Sequence, residues 1–266
     1  MRRHAWTRYD ERVRVRWHSE MIELPVKVWH MPMTVKKIQQ RLRRLATKEK
    51  AALLQRFFKT GPGQYGEGDK FLGVMVPNIR LVVKEFRDAP LPEVKKLMRS
   101  AWHEERVLAL LILVDQFERG DDALRKKIYQ FYLKNTRYIN NWDLVDLSAP
   151  KIVGPYLDGG SRALLYRFVR SKNLWERRIA ILATFPYIRN ADFVDALSIA
   201  EKLLADDEDL MHKAVGWMLR EVGKKDVAVL ESFLKKHHRK MPRTALRYAI
   251  ERFPEAKRKK YLAGTV

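Results

Sequence analysis

Apolar and polar positions follow a helical period along most of the chain. From Thr34 onward, segment after segment has this period, and no strand pattern of note lies between them. Thr34 is suited to cap a first helix that is predicted to run through Arg41 to Phe58. The glycine-rich segment 61–68 is then expected to end that helix.

The first 33 residues follow a different pattern. Tryptophans are scattered among arginines, and Pro25 and Pro32 would interrupt any helix. The alternation over residues 13–17 predicts either a short strand or a loosely attached arm. We therefore divide the chain into a basic N-terminal arm, residues 1–33, expected to be poorly ordered, and a folded body, residues 34–266.

Similar helices, in which basic residues precede an apolar run, recur in the body at a fairly constant step. Arg106, Arg177 and Lys213 occupy equivalent positions, separated by 71 and 36 residues, which is two periods and then one. Helical pairs at this period predict an all-α fold, an α-solenoid of HEAT-like repeats. Equivalent positions of successive repeats would line its long concave face.

The net charge indicates the kind of partner. Lysine and arginine number 54 against 32 acidic residues, and the first 33 residues hold only seven and four of these. The body alone therefore keeps a charge of about +19. A body this basic attracts phosphate backbones, which predicts a concave, basic DNA-binding face. A merely solvated surface, or a ribosome-like tail protein, is the alternative. An anionic membrane is a weaker one, because no segment at the chain end pairs a basic face with a clean apolar one.

Composition excludes several classes of function. The chain has no cysteine, so disulfides and thiolate chemistry are excluded. The longest apolar run, Val107 to Val114, is too short to span a bilayer, and no signal peptide is visible. A bacterial cytoplasmic location, with nucleoid association on DNA, is the expectation. The segment 61–68 contains G-x-G-x-x-G, but no strand precedes it and Pro62 interrupts it, so no dinucleotide site is predicted.

Trp142 and Asp146 form the most informative pair of side chains. They lie four residues apart, so a helix places them on one face. An indole beside a carboxylate suits a positively charged group carried on a polyanion. Arg178 and Trp217 follow at steps of 36 and 39 residues, and the repeat predicts that they approach Trp142 on the concave face. Taken singly, the tryptophans also fit core packing, Asp146 a helix-face or capping role, and Arg178 a solvated surface.

Four motifs occur in order at the repeat spacing. They are Phe71-Leu72-Gly73-Val74 with Pro77, Trp142-Asp143-Leu144-Val145-Asp146, Leu174-Trp175-Glu176-Arg177-Arg178 with Ala180-Ile181, and Lys213-Ala214-Val215-Gly216-Trp217-Met218-Leu219-Arg220-Glu221. Together they resemble the AlkD family of DNA alkylation repair proteins, bacterial DNA glycosylases built of HEAT-like repeats. The resemblance covers roughly Thr34 to Leu262 and excludes the arm.

The resemblance implies a monofunctional glycosylase that excises positively charged alkylpurines, typically 3-methyladenine and 7-methylguanine, from duplex DNA. By motif, Trp142, Asp146, Arg178 and Trp217 correspond to the family's active site. Asp146 is expected to stabilise the cationic sugar and orient water, the tryptophans to hold the cationic nucleotide, and Arg178 to bind a flanking phosphate. No cofactor or metal is expected, since the seven histidines are scattered, and a monomer would suffice.

Other residues receive secondary roles. Four are expected to contact the DNA backbone: Lys213, Arg220, Arg243 and Arg247. Asp143 is expected to bond a neighbouring repeat and Trp175 to pack between helices. Met75 and Pro186 stand where some family members have a polar or basic DNA-contacting residue, a departure that bears on the range of lesions.

Two other classes of function stay open. Some relatives of this family bind unusual DNA without excising bases, so a non-catalytic protein that binds damaged or branched DNA is one alternative. A scaffold for acidic proteins is the other. The scaffold fits the fold but leaves the set of tryptophans, Asp146 and Arg178 unexplained.

Overall fold

The computed structural model describes residues 11–17, 20–26 and 33–266. The chain separates into two compact units, and the boundary in the sequence lies between Met33 and Thr34.

The first unit contains a β-hairpin. Strands β1 (Glu11–Trp17) and β2 (Glu20–Val26) pair antiparallel, with Val15 opposite Ile22. Residues 13–17 therefore form a strand, one of the two structures that their alternation predicts. The expected poor order of the arm also concerns positions outside the described residues, namely 1–10, 18–19 and 27–32, and it stays a prediction.

The second unit is helical. Its α-helices are α1 (Val35–Arg43), α2 (Lys48–Phe57), α3 (Val76–Glu85), α4 (Leu91–Met98), α5 (His103–Arg119), α6 (Asp122–Leu133), α7 (Trp142–Leu157), α8 (Ala163–Val169), α9 (Leu174–Leu182), α10 (Phe185–Arg189), α11 (Val194–Lys202), α12 (Asp209–Lys225), α13 (Val227–His237), α14 (Arg243–Ala249) and α15 (Glu255–Ala263). Among its described residues, β-type pairing is limited to an isolated bridge between Lys70 and Trp102. The all-α prediction is confirmed for this unit, whereas the solenoid and its basic concave face stay predictions.

The single helix predicted from Thr34 to Phe58 is wrong in one respect, because the structure has two helices there. The backbone is extended at Thr47, where Gly73 approaches so closely that a Cβ on Gly73 would lie 2.0 Å from the Thr47 carbonyl oxygen. The break thus accommodates a contact between distant segments. Thr34 is the N-cap of α1, but its side chain makes no capping bond, and the Glu93 carboxylate accepts the Val35 N–H at 2.7 Å instead.

Helix α5 lies at the centre of the first half of this unit. Its residues 103–114 are all buried, because α3, α4, α6 and α7 pack around it. Glu104 accepts the backbone N–H groups of Leu72, Gly73 and Val74 at 2.7–3.1 Å. A buried carboxyl group without hydrogen-bond partners would cost several kcal/mol. The backbone N–H groups are the partners of Glu104, and their bonds fix the segment that leads into α3.

The helices that carry the predicted site residues are neighbours. Helix α7 packs against α9, and α9 packs against α12. Trp142 and Asp146 belong to α7, Arg178 to α9 and Trp217 to α12. The packing therefore brings three motifs that are distant in sequence onto adjacent helices.

Candidate active site

The N-terminus of α7 positions Trp142 and Asp146. Asn141 is its N-cap, and the side-chain oxygen of Asn141 accepts the Trp142 N–H at 2.8 Å. The side-chain nitrogen of Asn141 donates to Asp69 at 3.1 Å. Asn141 is completely buried, so these bonds satisfy both ends of its amide. Asp146 follows one helical turn after Trp142 on the same face.

Asp146 and Arg178 form a buried ion pair. Nε and Nη2 of Arg178 donate to the two carboxylate oxygens of Asp146, each at 2.8 Å, and Nη1 donates to the Leu210 carbonyl at 2.5 Å. The side chains are only 5% and 14% exposed for Arg178 and Asp146. A bidentate pair of this kind has a well-defined geometry.

This geometry gives Arg178 a role in addition to the one expected. Three of its five N–H groups donate within the protein and the side chain is only 5% exposed, so Arg178 orients Asp146 and links α9 to both α7 and α12. Its predicted contact with a flanking phosphate stays a prediction. The adjacent Arg177 is paired too, with Asp206 at 2.6 Å, so neither arginine is simply solvated.

Burial raises the pKa of Asp146 above 3.8, the ordinary value for this side chain. The hydrogen bonds and charge of Arg178 lower that pKa, and the charge of Asp143 raises it. We expect the carboxylate to be ionised at neutral pH, because a guanidinium stays charged and protonating Asp146 would leave Arg178 buried without a counterion.

Trp142 belongs to a cluster of aromatic rings. Its indole stacks on Phe58 with centroids 5.3 Å apart, and Phe57 meets its edge at 6.0 Å. Phe58 in turn lies 5.0 Å from Phe71 and 4.8 Å from the His103 ring. Because Phe58 covers one face of the indole, a cation–π contact would have to use the other face.

Trp217 has different neighbours. Its ring lies 6.3 Å from that of Phe185, and its indole N–H donates to Glu221 at 3.1 Å. Neither of these two contacts is with Trp142 or Asp146. The approach of Trp217 to Trp142 therefore stays a prediction.

Tyr65 is an aromatic neighbour of Trp175 that the motifs do not predict. It lies half-buried in the loop 61–68, and its ring meets the edge of Trp175 at 6.4 Å. Burial raises the pKa of the Tyr65 hydroxyl, while the Trp142 indole and the charge of Lys213 lower it. The sequence signal is one aromatic residue in a glycine-rich loop, which by itself indicates no partner.

A buried polar network supports the start of α7. The His103 ring is 2% exposed, and its nitrogens lie 3.0 Å from the Asp69 carboxylate and 2.8 Å from that of Asp143. Arg106 also binds Asp69, at 2.5 Å. Burial lowers the pKa of His103, but the charge of Asp143 and the bonds to both carboxylates outweigh it and raise the pKa to about 9. The structural role predicted for Asp143 is confirmed, since this residue joins α7 to α5.

The residues predicted to bind the DNA backbone differ in whether a carboxylate already pairs with their charge. Lys213 pairs with an aspartate one turn earlier on α12, at 2.7 Å, and Arg220 pairs with Glu251. Arg243 and Arg247 are exposed on α14 and pair with no carboxylate of the described residues, although Arg243 donates to the Leu262 carbonyl. This pair on α14 is therefore better placed to reach phosphates than Arg220.

The described residues offer no obvious place for a metal ion. Among them, no three His, Asp or Glu side chains converge in a suitable arrangement. Both ring nitrogens of His103 are already bonded to carboxylates. In the same part of the chain, no helix is long and apolar enough to cross a membrane.

The helices and the site together define the class of the second unit: an all-α body in which a buried carboxylate–guanidinium pair lies one turn from a tryptophan in a cluster of aromatic rings. The family model of the DNA alkylation repair enzymes matches residues 38–253, and the chain therefore belongs to that family. Membership gives it a role in DNA alkylation repair, with DNA as the implied substrate.

The fold has a counterpart among solved structures. A predicted DNA alkylation repair enzyme from Enterococcus faecalis superposes with a TM-score of 0.64 at 17% sequence identity, over 79% of this chain and 97% of that one. At this identity the likeness shows the fold alone. No curated protein matches the chain. The resemblance to the AlkD family in particular stays a prediction.

Proposed function

We propose that this protein is a monofunctional DNA glycosylase that hydrolyses the N-glycosidic bond of positively charged alkylpurines, such as 3-methyladenine and 7-methylguanine, in duplex DNA. The observation that carries the proposal is the buried Asp146–Arg178 pair, one helical turn from the half-buried Trp142. The strongly basic body and the family membership support a DNA substrate.

The positive charge on such a lesion makes the base a good leaving group. As the bond between the purine and C1′ breaks, its electron pair stays with the base, which leaves as a neutral alkylpurine, and positive charge develops on the sugar. Asp146 stabilises that charge and orients a water molecule toward C1′. The water oxygen bonds to C1′, one proton is released, and an abasic site remains.

Arg178 positions the carboxylate for this role. An ionised carboxylate has about four lone-pair sites, and Arg178 uses two of those on Asp146, so the carboxylate can still accept a hydrogen bond from water. The bidentate contact also prevents rotation of the Asp146 side chain. The aromatic ring of Trp142 would hold the cationic nucleotide through its uncovered face, a contact worth about 0.5–2 kcal/mol.

One observation favours a second function, the binding of damaged or branched DNA without base excision. The Asp146–Arg178 pair is neutral overall, which leaves less negative charge to stabilise a cationic sugar than a free carboxylate would supply. A protein that recognises a lesion by its aromatic rings and phosphates alone would tolerate this neutralisation.

Base release from methylated DNA distinguishes the two functions. The purified protein is incubated in EDTA with duplex DNA that has been treated with a methylating agent, and the released bases are identified by chromatography. The proposed glycosylase releases 7-methylguanine and 3-methyladenine and leaves abasic sites. A duplex that carries hypoxanthine, a neutral lesion, is the control and should release nothing. No release, together with tight binding to four-way junctions, would support the second function.

A further inference from the structure

Two arginines and a tyrosine meet at the connection that leads into α7, outside the site described above. The guanidinium carbon of Arg137 lies 4.6 Å from the centre of the Tyr138 ring, and that of Arg99 lies 5.4 Å from the same centre. Arg99 follows α4, so the ring gathers positive charges from two different connections between helices. We call these three residues the arginine–tyrosine cluster.

The positive charges of this cluster have no carboxylate partner in the part of the chain that the structure describes. Arg99 and Arg137 are both exposed. The surrounding sequence adds no negative charge, because residues 123–142 include five lysines or arginines and no acidic residue. Positive charges held close together repel one another, so the arrangement favours a bound anion.

The Tyr138 hydroxyl adds a directed hydrogen-bond donor. It accepts a hydrogen bond from Nη2 of Arg137 at 2.7 Å, so its own O–H can donate to a further acceptor. Two guanidinium groups and a hydroxyl are typical partners of phosphate oxygens in nucleic acids. A backbone phosphate is the anion that fits best, because the family of this chain implies a DNA substrate.

The cluster is held at a limited distance from Trp142. Tyr138 ends a short 3-10 turn, and the Thr136 hydroxyl in that turn donates to Glu176 on α9 at 3.1 Å. The four steps of chain from Tyr138 to Trp142 span at most about 15 Å between Cα atoms. Along duplex DNA this distance corresponds to about four base pairs. The cluster therefore meets a duplex within about half a turn of a nucleotide at Trp142.

We infer that the arginine–tyrosine cluster binds one backbone phosphate, or two neighbouring ones, of the DNA duplex within about half a helical turn of the nucleotide held at Trp142. The distance from that nucleotide rests on the proposed function, whereas the phosphate chemistry rests on the cluster itself. The contact fixes the register of the duplex from α4 and the start of α7. The four backbone contacts predicted from the sequence lie on other helices, α12 and α14.

Neutral replacement of single phosphates tests both the contact and its position. The duplexes carry one 7-methylguanine with a 2′-fluorine, which prevents excision by disfavouring positive charge on the sugar. One methylphosphonate replaces each phosphate in turn, over about eight nucleotides on either side. Equilibrium affinity is measured for the full chain and for Arg99→Ala, Arg137→Ala and Tyr138→Phe. Arg125→Ala is the matched control, because Arg125 also lies over a ring, that of Phe117 at 5.7 Å, but near the start of α6.

We expect a methylphosphonate at one or two positions within half a turn of the lesion to weaken binding by the unchanged chain about tenfold. Arg99→Ala and Arg137→Ala should each weaken binding to the ordinary backbone, lower the slope of log affinity against log salt by about 1, and abolish the effect at one or both positions. Tyr138→Phe should weaken binding without changing the slope, because it removes a donor but no charge. Arg125→Ala should leave the methylphosphonate pattern unchanged.

Methylphosphonate effects that persist in both arginine variants would overturn the inference, as would effects at no fixed distance from the lesion. Arginine variants that bind every duplex as the unchanged chain does would also overturn it. If the pattern appears as expected but the unchanged chain releases no base from ordinary 7-methylguanine, the inference stands and the glycosylase proposal fails.

Discussion

The buried carboxylate of Asp146 should control how the activity depends on pH. Burial raises its pKa above 3.8, so excision is expected to fall, as the pH drops, at a higher pH than an exposed aspartate would give. The measurement is the single-turnover rate of 7-methylguanine release between pH 4 and 8, corrected for release by Asp146→Asn. A rate that stays constant down to about pH 4 would contradict the role of this carboxylate.

Changing the partner of Asp146 gives a second test. Arg178→Lys keeps the positive charge but loses the bidentate contact, so the pKa of Asp146 should rise and the acid limb of the rate profile should move to higher pH. The neighbouring Arg177→Lys is the matched control, because Arg177 pairs with Asp206 instead. A profile that moves equally in both variants would mean that Arg178 does not act through Asp146.

His103 should make stability depend on pH in the alkaline range. Its pKa is about 9 in the folded chain against 6.5 for an ordinary histidine, so its contribution is fully present below pH 6.5 and is lost as the pH rises through 9. That contribution is on the order of 3 kcal/mol. Denaturant unfolding of the chain and of His103→Gln checks this: the difference between them should shrink from pH 6 to pH 10. A difference that is the same at both pH values would show that His103 is not charged in the folded protein.

Local spacing in the sequence predicts the positions of some of these side chains and not of others. The four-residue step from Trp142 to Asp146 and the repeat step to Arg178 depend only on helix geometry, and both place residues that the structure brings onto neighbouring helices. The hydrogen bond from Arg178 to the Leu210 carbonyl and the position of Tyr65 depend on how distant segments pack. Neither of these leaves a periodic signal in the sequence.

Among the helices and their connections, the junction between α1 and α2 depends on a glycine. Gly73 has a φ of +82°, and a Cβ there would lie 2.0 Å from the Thr47 carbonyl oxygen. Gly73→Ala should therefore destabilise the fold by more than about 3 kcal/mol, since backbone strain and a backbone clash add. Gly159→Ala is the matched control: it has the same sign of φ (+73°) and nothing within 4 Å, so it should cost only about 1 kcal/mol. Equal midpoints of denaturant unfolding would contradict the close packing at Thr47.

The same junction shows why one helix boundary could not be predicted. Residues 34–58 have a continuous helical pattern, and no proline or glycine interrupts them. The break at Thr47 arises because Gly73, held through the carboxylate of Glu104, takes up the space beside it. Helix existence follows from local periodicity, whereas this boundary follows from a long-range contact.

For the whole chain, DNA binding should be strongly salt-dependent, because the body carries about +19. Replacing Arg243 and Arg247 with alanine should reduce the slope of log affinity against log salt by about 1 to 2, since each lost phosphate contact removes about 0.9. Arg87→Ala, which removes a charge already paired with Asp115, is the control and should leave the slope unchanged. An unchanged slope in the double variant would exclude α14 from the DNA contact.

The helical class of the body could be predicted from the helical period of its apolar positions, because that period gives each segment an apolar face that only a helix presents on one side. The solenoid inferred from the 36-residue step stays a prediction. Four motifs in order also predict a DNA alkylation repair protein, and that coarser prediction is confirmed by the family model. The curvature of the helix array and the distribution of charge over its surface depend on small rotations between neighbouring helices. Those rotations are set by side-chain packing, so the predicted concave basic face does not follow from the period alone.

The most direct test of the proposed function is the single-turnover release of 7-methylguanine from a duplex of defined sequence by the unchanged chain and by Asp146→Asn, with DNA affinity measured in parallel. Removing the buried carboxylate should lower the rate constant by about 10² to 10³ while affinity stays within about threefold. Equal rate constants for the two proteins, at equal affinity, would contradict the assignment of Asp146 as the residue that stabilises the departing sugar.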